Sequence, residues 1–193
     1  MLMKSLTSSV VPLLFAALPL VTPAVAQPHV LASDSKLWVE GTSNKSDWAV
    51  SATEFEVEAS LAGDGHIEAM VLKVPADKIV SNQSTIMDRL MHKTLKVTQH
   101  PVIEFELVAL EPLEGDSLQA VGNLTIAGVT NEASFGLTRV EAENGGKRYI
   151  GAHSMKMTDY GMKPPSAMFG ALHTGDDVTV HFDMAFVPGQ TDS

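Results

Sequence analysis

Cysteine is absent from all 193 residues. That excludes disulfides, iron–sulfur ligation and thiol nucleophiles, so the folded chain has to be held by packing and hydrogen bonds. Basic residues are scarce: 13 Lys and Arg stand against 23 Asp and Glu, a formal net charge of −10. A surface of that sign repels nucleic acid and anionic membrane surfaces, and neither is expected as a partner. Catalytic signatures are missing as well. His29, His66, His92, His100, His153, His173 and His181 show no HExxH or other close ligand spacing. No serine sits in a G-x-S-x-G elbow or an S-x-x-K element, and Gly63-Asp64-Gly65 lacks the helix context of a phosphate loop. Met155 and Met157 make the one tight M-x-M pair, with no cysteine to help it hold Cu(I). The chain therefore reads as neither an enzyme nor a cofactor or metal protein.

A long apolar run is the next absence. The stretch 10–20 is broken by Pro12 and Pro19 and falls short of the roughly 20 residues that span a bilayer. With Lys4 before it and Ala24-Val25-Ala26 after it, residues 1–26 read as a secretory signal, leaving Gln27 first in the mature chain. The expectation is export to a periplasm, without stable membrane insertion once the signal is gone. Residues 27–193 are enough for a single domain with its own core.

Two-residue alternation dominates that domain. In 48–61, Phe55, Val57, Ala59 and Leu61 fall on one parity and Glu54, Glu56, Glu58 and Ser60 on the other, which a pleated strand separates into a dry and a wet face. Residues 27–35 read as a flexible terminus, with a first short strand at 36–41. Gly63-Asp64-Gly65 turns the chain into a return strand at 66–74, ended by Pro75 because proline cannot donate to a ladder. Strands follow with Ile103, Phe105, Leu107 and Ala109 together, then Leu118, Ala120, Gly122, Leu124 and Ile126. After a turn at Gly128-Val129-Thr130-Asn131 come Ala133, Phe135 and Leu137. Asn144-Gly145-Gly146 reverses the chain into 147–157, whose inward parity is ambiguous. The series Tyr149, Gly151, His153, Met155, Met157 competes there with Arg148, Ile150, Ala152, Ser154, Lys156. The last strand, 177–186, groups Val178, Val180, Phe182, Met184 and Phe186.

One segment departs from this period. Ile86, Met87, Leu90 and Met91 recur at helical spacing behind a capping Ser84, with Asp88 early and His92 and Lys93 late, as the helix dipole favours. Residues 84–94 are the one substantial helix expected, between strands 3 and 4, plugging a barrel end or lying on its wall. The fold class is thus all-β: eight antiparallel strands joined by short reversals, enough to close a small barrel, although a two-sheet sandwich would give a similar string.

Several pieces of sequence carry a family resemblance: Gly41-Thr42-Ser43 ahead of Asp47-Trp48; Asp88-Arg89-Leu90; His100-Pro101-Val102-Ile103-Glu104-Phe105; 122–130, beginning Gly122-Asn123-Leu124; and Met157-Thr158-Asp159-Tyr160-Gly161-Met162. Together these resemble the YceI-like periplasmic proteins, and they cover almost the whole mature chain. Asn44-Lys45-Ser46 departs from the more usual Val-His before the Asp-Trp pair, and the loop after Gly161 is richer in Met and Pro than in many relatives. The resemblance implies a lipocalin-like, eight-stranded barrel that binds a long isoprenoid or similar apolar lipid without changing it, and it leaves a homodimer open. The competing reading is an interaction or stress-response module whose barrel is filled by its own side chains.

For an apolar ligand, the expected wall consists of Phe55, Val57, Ile103, Phe105, Leu107, Leu124, Ile126, Phe135, Leu137, Phe182 and Met184, on the dry parities. Met155 joins them from a methionine set, with Met87, Met91, Met157, Met162 and Met168, suited to an irregular apolar shape. The motifs shared with the family nominate Arg89 and Tyr160 for the ligand's polar end.

Overall fold

The computed structural model describes residues 29–62, 66–81, 85–142 and 145–189. The signal segment, the turn at Gly63-Asp64-Gly65, the capping Ser84, Asn144 and the C-terminal tail from residue 190 lie outside the described residues. In chain order the elements are β1 (His29–Leu31), β2 (Lys36–Ser43), β3 (Trp48–Ala52), β4 (Glu56–Leu61), β5 (Ile67–Pro75), β6 (Ile79–Ser81), α1 (Thr85–Thr94), β7 (Val102–Pro112), β8 (Ser117–Ile126), β9 (Val129–Glu141), β10 (Lys147–Lys156), β11 (Ser166–Ala167) and β12 (Leu172–Pro188).

From Phe55 to Leu61, half-buried and exposed residues alternate in step with the sequence, and Leu118, Ala120, Gly122 and Ile126 on β8 are buried on one parity. Apolar parities therefore turn inward around the sheet. All pairings are antiparallel, in the order β4-β5-β7-β8-β9-β10-β12-β2-β3-β6. The two ends of that order belong to one bent hairpin. β3 runs into β4 through residues 53–55 and β5 into β6 through a 3-10 turn at Ala76–Lys78, while β3 pairs with β6 and β4 with β5. Chain continuity carries the sheet back to its start, so one curled antiparallel sheet forms a lipocalin-like barrel rather than two separate layers.

Among the described residues the sheet has 12 strands where the alternation predicts eight. One expected strand, 48–61, is broken at the hairpin bend into β3 and β4, and three short strands, β1, β6 and β11, add to the count. At the bend Thr53 donates from both its backbone N and its Oγ1 to the Lys78 carbonyl, each at 2.9 Å, and the Lys78 ammonium meets Glu54 at 2.6 Å. These long-range contacts turn the corner, and no local sequence period reports them. The expected flexible terminus is also corrected over its described part: β1 pairs with the far end of β12, Val30 opposite Val187. Arg148 holds the connection after β1 by bonding both Asp34 and Asp183, the latter at 2.7 Å.

Two turns shift. Ile126 pairs with Val129, so the β8–β9 reversal is a two-residue turn at Ala127 and Gly128, both with positive φ, and Val129 already belongs to the strand. On β7 the register jumps between Leu107 and Ala109, a bulge at Val108 that leaves Val108 exposed and passes the inward parity from Ala109 to Leu110.

The helix forms over the expected residues. Asp88 Oδ1 accepts the Ser81 backbone N–H at 2.7 Å, and His92 Nε2 meets the Ile79 carbonyl at 2.9 Å. Those groups lie on the free edge of β6, so α1 docks by supplying side chains to an unpaired strand edge. No helix among the described residues is long and apolar enough to cross a membrane.

Candidate functional site

Phe105, Phe135 and Phe182 meet inside the barrel, with ring centroids 5.6 Å and 5.5 Å apart for the Phe105–Phe135 and Phe135–Phe182 pairs. Rings of this size reach the interior because two strands withhold a side chain. A Cβ on Gly122 would stand 2.5 Å from the Phe105 ring, and one on Gly151 would stand 2.5 Å from Phe182 Cζ. The mid-strand glycine of β8 thus accommodates the close approach of a neighbouring aromatic ring.

Around these rings lies a cavity of about 230 Å³. For scale, an apolar cavity of about 150 Å³ stays dry and accepts benzene. Its wall takes residues from β2, β3, β5, β6, β7, β8, β9, β10 and β12, with α1 across one end, and among the described residues it includes no Asp, Glu, Lys or Arg. Incomplete burial of the inward residues reports the same space. Leu107, Phe135, Val180 and Phe182 pack against the core cluster yet are only partly buried. No residue of α1 is fully buried, although Met87, Leu90 and Met91 line the cavity. An apolar helix face over a filled core would be dry; this one faces open volume.

Ile103, Phe105, Leu107, Leu124, Ile126, Phe135, Leu137, Met155, Phe182 and Met184 all line the cavity. The structure brings these ten together from β7, β8, β9, β10 and β12. Phe55 and Val57 are not on this wall; they pack against the core cluster from the bend and from β4. Arg89 is exposed on α1 and does not reach the cavity. Tyr160 is 2 % exposed and does not line the cavity itself; it belongs to a second cluster with Ile126, Ala127, Met157, Met162 and Val178, and stands behind the members of that cluster that do. Burial, with the Asp159 charge adding to it, pushes the Tyr160 phenol up. Of the methionine set, Met87, Met91, Met155, Met157 and Met162 line the cavity, while Met168 is exposed.

Wall residues outside the expected list include Met70, Leu72 and Val74 on β5, Leu90 and Leu95 at the helix, and Tyr149 and His153 on β10. The β5 series repeats every second residue and was readable as a dry face. His153 was not, since its strand offers two mixed parities; the structure turns Tyr149, Gly151, His153 and Met155 inward. His153 contacts the Phe135 ring at 5.4 Å, and burial holds its imidazole below the usual histidine value. His181, on the opposite parity of β12 from the apolar series, is stacked on Trp38 at 5.0 Å and half-buried. Among the described residues no three His, Cys, Asp or Glu side chains cluster as metal ligands would.

The family profile described as YceI-like domain matches residues 27–186. No curated protein sequence matches the chain. Among solved structures, Burkholderia cenocepacia BcnA superposes with a TM-score of 0.66 at 12 % identity, covering 79 % of this chain and 96 % of that one. A Campylobacter jejuni YCEI protein gives 0.58 at 11 % identity over 74 % and 85 % of the two chains. A polyisoprenoid binding domain from Saccharophagus degradans, implicated in plant cell wall breakdown, gives 0.57 at 13 % identity over 84 % and 99 %. At these identities the likeness is one of fold.

Proposed function

Because this chain belongs to the YceI-like family, we propose that it binds an apolar lipid, an isoprenoid being the leading class, inside its barrel and releases it chemically unchanged. The observation that carries this reading is the cavity of about 230 Å³, whose wall holds no Asp, Glu, Lys or Arg among the described residues. The polyisoprenoid binding described for the Saccharophagus degradans neighbour supports the same class of ligand. Burying hydrocarbon contributes roughly 0.8 kcal/mol per CH₂ before the cost of ordering the chain, so affinity needs no dense polar chemistry. Export behind residues 1–26 and action in a periplasm complete the proposal, with the protein moving as a carrier that leaves the membrane once the signal is removed.

The competing reading, a barrel filled by its own side chains, has the partial burial of Phe135, Val180 and Phe182 against it. Native mass spectrometry and organic extraction of protein exported by its own host test the proposal. Recovery of a lipid of defined mass is expected. Repeated recovery of empty protein, together with failure to take up added isoprenoids, overturns it.

A further inference from the structure

Along the cavity wall most polar side chains already have work; the Thr94 hydroxyl at the end of α1 and the His153 ring are the two without a hydrogen bond to another described residue, and of these His153 lies in the barrel wall beside the phenylalanine rings. Trp48 Nε1 donates to the Thr42 carbonyl and Thr174 Oγ1 to the Pro165 carbonyl. Tyr149 and Ser81 also have partners. His153 makes a ring contact with Phe135 but no hydrogen bond to another described residue. No buried side-chain nitrogen or oxygen in the described structure lacks a partner, so the open valence of His153 is one that the cavity can reach. Among the described residues it is also the one wall residue whose charge changes near neutral pH, for they put no carboxylate, lysine, arginine or second histidine on the wall.

We propose that His153 is the polar contact of the cavity, hydrogen-bonding a hydroxyl, ether or carbonyl oxygen carried by an otherwise hydrocarbon ligand, and so selecting such a ligand over a plain hydrocarbon. The inference rests on the lipid-binding reading and sharpens it to a ligand class. A neutral imidazole can either donate to that oxygen or accept from a hydroxyl, whereas a hydrocarbon would displace water from the ring and put nothing in its place. Its surroundings reinforce the demand for a neutral ring. β9 presents Phe135 to it, β12 presents Val180 opposite it in register, and on its own strand Gly151 and Met155 flank it on the inward parity. Tyr149, further along that parity, is the nearest titratable group of β10 on this wall. With no opposite charge on the wall to stabilise an imidazolium, acid works against occupancy. The neutral form persists to lower pH than for an ordinary histidine, and ligand binding weakens as pH falls through that lowered value.

The test uses the mature protein with farnesol and its hydrocarbon counterpart farnesene, each displacing an uncharged apolar dye. Wild type is expected to prefer farnesol by about three- to tenfold, the size of one net hydrogen bond. His153→Leu and His153→Phe are expected to remove that preference while binding farnesene at least as tightly. The His153 ring nitrogens, followed by ¹⁵N NMR, are expected to shift on adding farnesol and not farnesene, a signature that a purely structural histidine would not give. Equal binding of the two probes by wild type, or a preference that survives in both variants, overturns this inference and leaves lipid binding standing. Failure of wild type to bind either probe overturns both.

Discussion

Gly122 is a contact in its own right, because the space a methyl would occupy is filled by the Phe105 ring and the Glu106 carbonyl, both at 2.5 Å. Gly122→Ala is expected to cost about 1–3 kcal/mol, the usual range for overpacking, in urea denaturation. Adding Phe105→Leu should recover part of that loss, since the two sites share one clash. At the other extreme stands Phe169, whose side chain is fully exposed while its backbone sits at φ 56°. A left-handed conformation costs a non-glycine residue roughly 1–2 kcal/mol, and here no burial offsets it. Phe169→Asn is therefore expected to raise stability by about 0.5–1 kcal/mol, seen as a higher melting temperature. Neither effect could be read from the chain alone. Gly122 appears there as a gap in an apolar series, and its reason lies on the adjacent strand.

At the scale of elements, α1 and the connection from β1 are each held by a few identifiable side chains. The helix meets β6 through Asp88 and His92, which bond backbone groups of Ser81 and Ile79. Asp88→Ala removes one such bond, worth about 0.5–1.5 kcal/mol, and should speed hydrogen exchange of the α1 amides about three- to tenfold while β8 and β9 stay protected. The connection from β1 depends on Arg148. Its guanidinium holds the Asp34 carboxyl below the usual aspartate value, chiefly through their hydrogen bond. A group with a lower pKa folded than unfolded contributes its stability above the unfolded value, near 4, and loses it as pH falls through the folded one. The stability difference between wild type and Arg148→Leu should accordingly shrink as denaturation is followed from pH 6 down to pH 3. A difference that stays constant over that range would show that Asp34 is not its source. Helical spacing revealed α1, charge order included, but its docking partner β6 is a three-residue strand with no period to read.

For the whole molecule, the open interior decides what the barrel can hold. Val180→Trp, placed on the wall between β10 and β2, should reduce uptake of an apolar dye at least tenfold, with a change of only a few degrees in melting temperature, because the added ring enters existing space. A large stability loss with unchanged uptake would mean that this part of the interior is already packed.

By itself, the chain's two-residue alternation determined that the protein is an antiparallel β structure, and its break at 85–94 determined the helix; these are local periods, set by which side chains a pleat or a helical turn presents to one face. The same alternation placed nine of the expected residues on a common wall, to which the methionine set added Met155. Tertiary structure alone decided that the long strand bends and splits at Thr53, that a further strand forms at 79–81 beyond the turn at Ala76, that a bulge at Val108 turns Leu110 inward, and that the mixed parity of β10 aims His153 at the cavity. It also decided that the interior stays open. Volume is a property of facing walls: whether Phe105, Phe135 and Phe182 fill a barrel or border a space depends on strands far apart in the chain, and no local pattern encodes that distance.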